Sequence, residues 1–232
     1  YNNIIYKSVY GYMGYGYEQQ LANVGELQAK GIEMSLRYRD NIGSFFYNIG
    51  LNGSSIRTRM SQLAEGNEII WDGNHQRLNN LTVTMVDETA GSFYGYVTDG
   101  IFQNRTEINS HSDEYGNLIQ PDAEPGDFRF KDLNGDGVLN ELDRKIIGNP
   151  EPILTYGINL NLEYKGFSLN MLFTGTYGND MLNAIRPYTS TGEGYYNAPA
   201  GLLEKAWSGE GSTQKQPIIK QVDQNQNFRY SD

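Results

Sequence analysis

Cysteine is absent from the 232 residues, which excludes disulfide frameworks, thiolate metal sites and thiol nucleophiles together. Histidine is almost absent. His75 and His111 are the only two, and neither stands in a metal-ligand spacing or beside an evident serine or aspartate partner. Both are therefore expected to be solvated loop residues. Basic residues are outnumbered, 18 Lys and Arg against 28 Asp and Glu, and the net charge of −10 argues against a nucleic-acid partner, because such binding relies on Lys and Arg to release counterions. No apolar run reaches the length of about eighteen residues that a transmembrane helix needs. No initiator Met or basic n-region precedes Tyr1-Asn2-Asn3-Ile4. The chain is thus expected to be an internal piece of a longer protein, without a signal peptide. Its hydrophobic fraction of 38% is low for a packed globular core.

Glycine (27) and tyrosine (18) are abundant. A barrel that turns apolar groups to lipid and polar groups to water needs only this modest hydrophobic fraction, and it uses Tyr at both interfaces. The pattern in Leu154 to Tyr177 agrees. Leu154, Tyr156, Ile158, Leu160, Leu162 and Tyr164 alternate with Thr155, Gly157, Asn159, Asn161 and Glu163. After Lys165-Gly166, the residues Phe167, Leu169, Met171, Phe173 and Tyr177 resume the phase, with Leu172 as the exception on the polar side. Period-2 patterning fixes two strands, each with one apolar and one polar face. Eleven residues at about 3.3 Å each, tilted by about 45°, rise roughly 26 Å, close to the ~25 Å apolar band of an outer-membrane barrel.

A second hairpin is expected nearer the start. Ile32, Met34, Leu36 and Tyr38 alternate with Glu33, Ser35, Arg37 and Arg39; Asp40 to Gly43 supplies turn residues; Phe45, Tyr47, Ile49 and Leu51 return. Two short turns separated by long segments, about 60–150 and 178–232, give the rim asymmetry of an outer-membrane barrel. If both turns are periplasmic, everything between the hairpins begins and ends outside. Further strands there, such as Leu81–Val86 or Phe93–Phe102, must then come in pairs. Alternation alone also suits a lipocalin-like barrel or a sandwich with the stripe turned inward. The Asn, Gly, Thr and Ser of the polar face, with tyrosines near the strand ends, favour lipid outside.

Asp132 to Asp143 has the spacing of a twelve-residue calcium loop in all but its last position. Oxygen ligands for Ca²⁺ are expected from Asp132, Asn134 and Asp136, the Val138 carbonyl, Asn140 through water, and Asp143, with Gly137 at the sharp turn. Asp143 stands where a longer Glu would bind bidentately, which implies weaker coordination. The same residues could instead make Asx turns without an ion. Asp113, Glu114, Asp122, Glu124 and Asp127 are expected on a solvated acidic loop surface. The tyrosine-glycine tract Tyr1 to Tyr17 is expected to serve as girdle and loop packing. Asn52, Asn80 and Asn104 head sequon triplets that arise by chance in an Asn-rich chain.

Five segments in order resemble the SusC/RagA family of TonB-dependent outer-membrane transporters. They run from Asn23-Val24-Gly25-Glu26 through Lys30-Gly31-Ile32-Glu33 and from Gly91-Ser92-Phe93-Tyr94-Gly95-Tyr96 through Asp99-Gly100-Ile101-Phe102-Gln103. Then come Gly126-Asp127 leading through Lys131 and Asp132 to Asp143-Arg144, Ile147-Gly148-Asn149-Pro150, and Thr155-Tyr156-Gly157 through Tyr164-Lys165-Gly166-Phe167 to Tyr177-Gly178-Asn179-Asp180. Trp207 and Phe228-Arg229-Tyr230-Ser231-Asp232 fit the segment before the family's final strands. The resemblance implies an all-β, antiparallel transmembrane barrel, of which residues 1–232 are a later portion. It implies a parent with twenty-two strands and an N-terminal plug, a SusD-like surface lipoprotein as lid, and contact with TonB through a part not in this sequence. It further implies outer-membrane lipid around the wall, an oligosaccharide or peptide as cargo, and no enzymatic activity. On this reading Leu154, Ile158, Leu160, Leu169 and Phe173 face lipid, while Asn159, Asn161, Asn170 and Thr174 face the lumen or plug. The alternative from another class is a secreted calcium-binding β-rich module for adhesion or glycan binding.

Overall fold

The computed structural model describes residues 4–8, 20–63, 69–73, 80–192, 196–213 and 215–228. Its strands are β1 (Ile4–Ser8), β2 (Gln20–Ile42), β3 (Phe45–Leu63), β4 (Ile69–Asp72), β5 (Thr82–Met85), β6 (Ser92–Tyr96), β7 (Thr98–Ile101), β8 (Phe128–Phe130), β9 (Arg144–Gly148), β10 (Leu154–Tyr164) and β11 (Phe167–Tyr177). Among the described residues the helices are short: α1 (Arg105–Ser110), α2 (Arg186–Thr189), α3 (Leu202–Lys205) and a 3₁₀ turn at Glu141–Asp143. The chain divides into two compact units. One is Tyr1–Trp71, Val83–Ser92 and Gly148–Met181; the other is Asp72–Thr82, Phe93–Ile147 and Leu182–Asp232. Tyr10, Tyr12, Tyr15 and Tyr17, His75 and Arg229 to Asp232 lie outside the described residues.

The first unit is an open antiparallel sheet of order β1-β2-β3-β10-β11, as the alternation implied. Its register sets the apolar residues in rows across the strands. Leu36, Leu51, Ile158 and Phe173 form one row, and Tyr38, Ile49, Leu160 and Met171 the next. Ile42, Phe45, Tyr164 and Phe167 close the sheet at its turn end. There Tyr38, Phe45, Tyr47 and Tyr164 lie within 5.9–6.4 Å of one another, centroid to centroid along successive pairs. The stripe is not gathered into a dry core: Leu36 is 58% exposed, Leu169 51% and Phe173 54%.

Both turns are tight. Lys165 (φ 47°) and Gly166 (φ 85°) are both left-handed, the requirement of a type I′ hairpin, whose twist matches its strands. The other hairpin differs from expectation. Asp40, Asn41 and Ile42 remain in β2, and the turn is confined to Gly43 and Ser44. Ile42 pairs with Phe45 and so extends the ladder by an apolar rung, while Gly43 takes the positive φ of 60°. The strands are also longer than the alternation suggested, 23 residues in β2 and 19 in β3. Beyond the Ser54–Thr155 pair β3 loses its β10 neighbour. The Glu151 carboxylate then accepts from the Thr58 N–H (2.8 Å) and hydroxyl (2.5 Å), which caps the freed edge.

The second unit carries a core of its own. Tyr96, Ile101, Phe128 and Phe130 cluster with Leu139 and Trp207 against them, and Phe102, Ile108 and Ala123 form a neighbouring cluster under Leu118. The strands expected near Leu81–Val86 and Phe93–Phe102 are present only as β5 and as the broken pair β6 and β7. At 4 or 5 residues each they span roughly 13–17 Å, too little to cross a bilayer. The 60–150 segment is therefore not a plain irregular loop, because its aromatic residues collapse locally.

Candidate functional site

On the polar face of the sheet the register assembles rows of amides, hydroxyls and guanidinium groups. Ser35, Asn52, Gly157 and Thr174 share one row; Arg37, Gly50, Asn159 and Leu172 the next; Arg39, Asn48, Asn161 and Asn170 the third. Asn159, Asn161, Asn170 and Thr174 thus stand opposite the apolar stripe, where the alternation put them. The Asn52 amide lies across the Gly157 backbone: a Cβ there would come within 2.3 Å of Asn52 Oδ1 and oblige the amide to turn aside. A groove of about 540 Å³ opens at Glu33, Ser35, Asn52, Ser54, Thr155 and Thr174. Asn48 Oδ1 is buried without a hydrogen-bond partner among the described residues. This face offers donors and acceptors in repeated rows, which suits a polar polymer or a packed polar protein surface.

The Asp132–Asp143 loop is built from Asx turns. Asp132 accepts from the N–H of Gly135 (2.7 Å) and Gly137 (2.8 Å), Asn134 from that of Asp136 (3.0 Å), and Asp136 from that of Val138 (2.9 Å). Asn134 Nδ2 donates to Asp136 Oδ2 at 2.8 Å, and with the Val138 amide this holds the Asp136 carboxyl below its usual value. Asn140 caps the 3₁₀ turn, accepting from Leu142 N–H at 2.7 Å, and its side-chain amide donates to the Val138 carbonyl at 3.1 Å. Asp143 is fully buried and completes a capping box. Its two oxygens accept from Leu133 N–H (2.8 Å) and Asn140 N–H (2.8 Å).

The donor set is all hard oxygen, the chemistry Ca²⁺ requires. Among the described residues, however, no group of three or more His, Cys, Asp or Glu converges in the manner of an ion site. The Asn134 and Asn140 amides instead direct donors at the Asp136 carboxylate and the Val138 carbonyl, oxygens that a cation would need as ligands.

Two residues expected at the solvated surface are placed differently. Asp127 is fully buried. It accepts from Lys220 Nζ (2.8 Å), Asn227 Nδ2 (2.9 Å) and Glu124 N–H (2.8 Å). Burial alone would lower the Lys220 pKa, but its bonds to Asp127 and Glu124 outweigh it and raise the ammonium above its ordinary range. His111 ends α1 and sets its ring edge-on to Phe102 at 5.6 Å; burial and the nearby Arg129 lower its pKa. Glu114, Asp122 and Glu124 are exposed as expected.

Sequence reasoning assigned no task to Gln103 or Asn225. Gln103 is buried, accepting from Trp207 Nε1 (3.2 Å) and Gly211 N–H (2.7 Å) and donating to the carbonyls of Ile101 and Thr213. Asn225 donates to the Phe128 carbonyl (3.1 Å) and accepts from Gln120 Nε2 (2.9 Å). Both close gaps of about a hundred residues in sequence, and an amide in a polar loop gives no local signal of such a role.

No protein-family model matches the chain. Among curated proteins it is similar to TonB-dependent receptor P3 of Formosa agariphila, 33% identical over 83% of this chain and 19% of the receptor. It is also similar to TonB-dependent receptor P26 of the same organism, 27% identical over 87% of this chain and 20% of that receptor. The chain therefore spans about a fifth of the curated relatives it matches. Among solved structures its fold matches the RagAB peptide importer in the open-open state, with a TM-score of 0.67 at 19% identity over 97% of this chain and 22% of that one. The closed-closed state gives 0.66 at 20% identity, over 99% of this chain and 23% of that one. The likeness to TonB-dependent transporters of the SusC/RagA kind that the five segments implied is borne out, as is the antiparallel sheet of a partial barrel.

Proposed function

We infer that this chain is a stretch of the barrel wall and outer loops of a TonB-dependent outer-membrane receptor whose parent protein imports a nutrient and is not an enzyme. One observation carries the reading. The long sheet leaves Leu36, Ile158, Leu169 and Phe173 exposed in ordered rows, although the chain has aromatic clusters elsewhere that do pack. A water-soluble adhesion module would bury such a stripe, since contiguous exposed apolar surface of this extent marks contact with lipid or protein.

Residues 1–232 then form part of one barrel domain. The sheet is wall, its Asn- and Ser-rich face looks to the lumen, and the segment of about 60–150 belongs to the outer loops. There it contacts a SusD-like lipoprotein lid over an oligosaccharide or peptide. The fold likeness to an importer of peptides and the sequence likeness to TonB-dependent receptors support this reading. Energy reaches the barrel through TonB by way of the rest of the parent.

The Asp132–Asp143 loop stiffens this outer region through its own hydrogen bonds. Ca²⁺ binding at Asp132, Asn134, Asp136 and the Val138 carbonyl, with Asn140 and Asp143 beside them, is weak. It requires the Asn134 and Asn140 amides to turn away from Asp136 first. The test of the whole reading is fractionation of the full-length protein. Recovery with the outer membrane, a requirement for detergent and heat-modifiable electrophoretic mobility support it; a soluble full-length product overturns it. Co-purification of a surface lipoprotein tests the lid.

A further inference from the structure

We propose that Lys30 and Arg57, on the outward face of β2 and β3, bind a phosphate-bearing lipid headgroup of the outer leaflet; this rests on the membrane reading above. The two residues are direct register partners. They continue the parity of Ile32, Met34 and Leu36, which are 78%, 67% and 58% exposed, so the cation pair sits on the lipid-facing side, one rung past the end of the apolar stripe. Both side chains are exposed. Like charges opposite one another weaken a β ladder unless an anion lies between them.

Three other charged side chains of this sheet and its margins are already engaged. On the next rung Arg59 donates from Nε to the Asp87 carbonyl at 2.6 Å and lies 3.7 Å from its carboxylate. Glu151 is engaged by Thr58. At the opposite rim Lys165 lies over the Tyr164 ring at 5.3 Å. Among the described residues Lys30 and Arg57 make no ion pair, which leaves a paired ammonium and guanidinium facing outward.

Height selects the ligand. From the Ile42–Phe45 rung to the Lys30–Arg57 rung is twelve residues of β2, about 40 Å of strand, or roughly 28 Å when tilted by about 45°. That lies just beyond the ~25 Å apolar band, at the depth of headgroup phosphates. The rung is also on the rim opposite the tight Gly43–Ser44 turn, which is the outer rim in the membrane reading. A guanidinium fork beside a point-charge ammonium matches a phosphate monoester.

The test uses the full-length protein in detergent, with bisphosphorylated lipid A as probe and native mass spectrometry as readout. The K30Q/R57Q protein should bind it about thirtyfold more weakly, the loss expected for two surface cations near anionic lipid. The charge-preserving K30R/R57K protein should bind it as wild type does, and dephosphorylated lipid A should not bind. Unchanged binding by K30Q/R57Q, equal binding of the dephosphorylated lipid, or full competition by inorganic phosphate overturns the proposal. The two readings fail separately. A wild-type protein soluble without detergent sinks both, whereas a detergent-requiring, heat-modifiable protein that ignores lipid A sinks only this one.

Discussion

Asn227 donates from Nδ2 to Asp127 Oδ1 across 2.9 Å, joining segments 100 residues apart around a carboxylate that is fully buried. Asp223 also accepts from Asn227, from the backbone N–H at 2.7 Å and the side chain at 2.8 Å, and Lys220 supplies the countercharge to Asp127 at 2.8 Å. A charge taken out of water persists only when it is paired and hydrogen-bonded, and Asp127 is both.

Replacing Asp127 by Asn should therefore loosen both segments. Among the described residues, the change leaves the largely buried Lys220 with the exposed Glu124 alone as ionic partner, at a cost of about 3 kcal/mol. Hydrogen exchange on the full-length protein should speed up in 120–128 and 220–227 together, while exchange in β10 and β11 stays unchanged. Faster exchange in only one of the two segments would show that the network does not couple them.

The second unit should weaken on acidification. The Glu124 carboxyl is lowered from 4.5, chiefly by its bond to Lys220. Its stabilisation is present above pH 4.5 and disappears as pH falls through the lower folded value. His111 is lowered from 6.5 by burial, so its contribution is lost as pH falls below 6.5. Asp223, raised above 3.8 by burial, acts in the opposite sense: its contribution is complete below 3.8 and lost as pH rises through its folded value. Lys220, raised above 10.5, holds its contribution below 10.5 and loses it as pH rises through the folded value. Protection of 93–147 measured from pH 8 to pH 3 should fall in two parts, below pH 6.5 with His111 and below pH 4.5 with Glu124. Replacing His111 by Phe should remove the earlier part of that fall.

The Asp132–Asp143 loop should depend more on Asp143 than on calcium. Asp143→Ala leaves the Leu133 and Asn140 amides without their acceptor, at about 0.5–1.5 kcal/mol for each lost bond. Chelation should change exchange in the loop far less than this substitution does. A calcium titration should show affinity no tighter than about 10⁻⁴ M; micromolar affinity would contradict a loop ordered by its own bonds.

Adjacent residues on β10 should respond oppositely to the same new side chain. Ile158→Arg places a charge in the middle of the apolar stripe and should cost about 2–4 kcal/mol, read as a loss of heat-modifiable folded protein. Asn159→Arg points the same group to the polar face beside Arg37, Gly50 and Leu172 and should change stability by less than about 0.5 kcal/mol. Equal sensitivity at the two positions would contradict a sheet with lipid on one side.

Much of the sheet is legible in the sequence, because a strand repeats every two residues and its pattern is local. Leu154 to Tyr177 shows both faces and the two-residue turn directly, and its apolar and polar residues fall on opposite sides of the sheet as read. The turn at Gly43 lies a few residues later than the sequence implies, since Asp40 and Asn41 are turn formers by type while Ile42 is held in the strand by Phe45 across the ladder. His111 and Asp127 were misplaced for a different reason. Polar residues in loops look solvated until it is known what folds over them, and here Phe102 and Asn227 do so.

The sequence by itself determined the alternation of the long strands, the Asx-rich chemistry of Asp132 to Asp143 and the kinship with TonB-dependent receptors, all written in short-range spacing. Tertiary structure alone decided that the apolar stripe stays outside any core, that Lys30 meets Arg57 at its edge, and that Asp127 is buried beneath Asn227 and Lys220. Each of these depends on register or on contacts between residues far apart in the chain, and no local pattern of side chains encodes either.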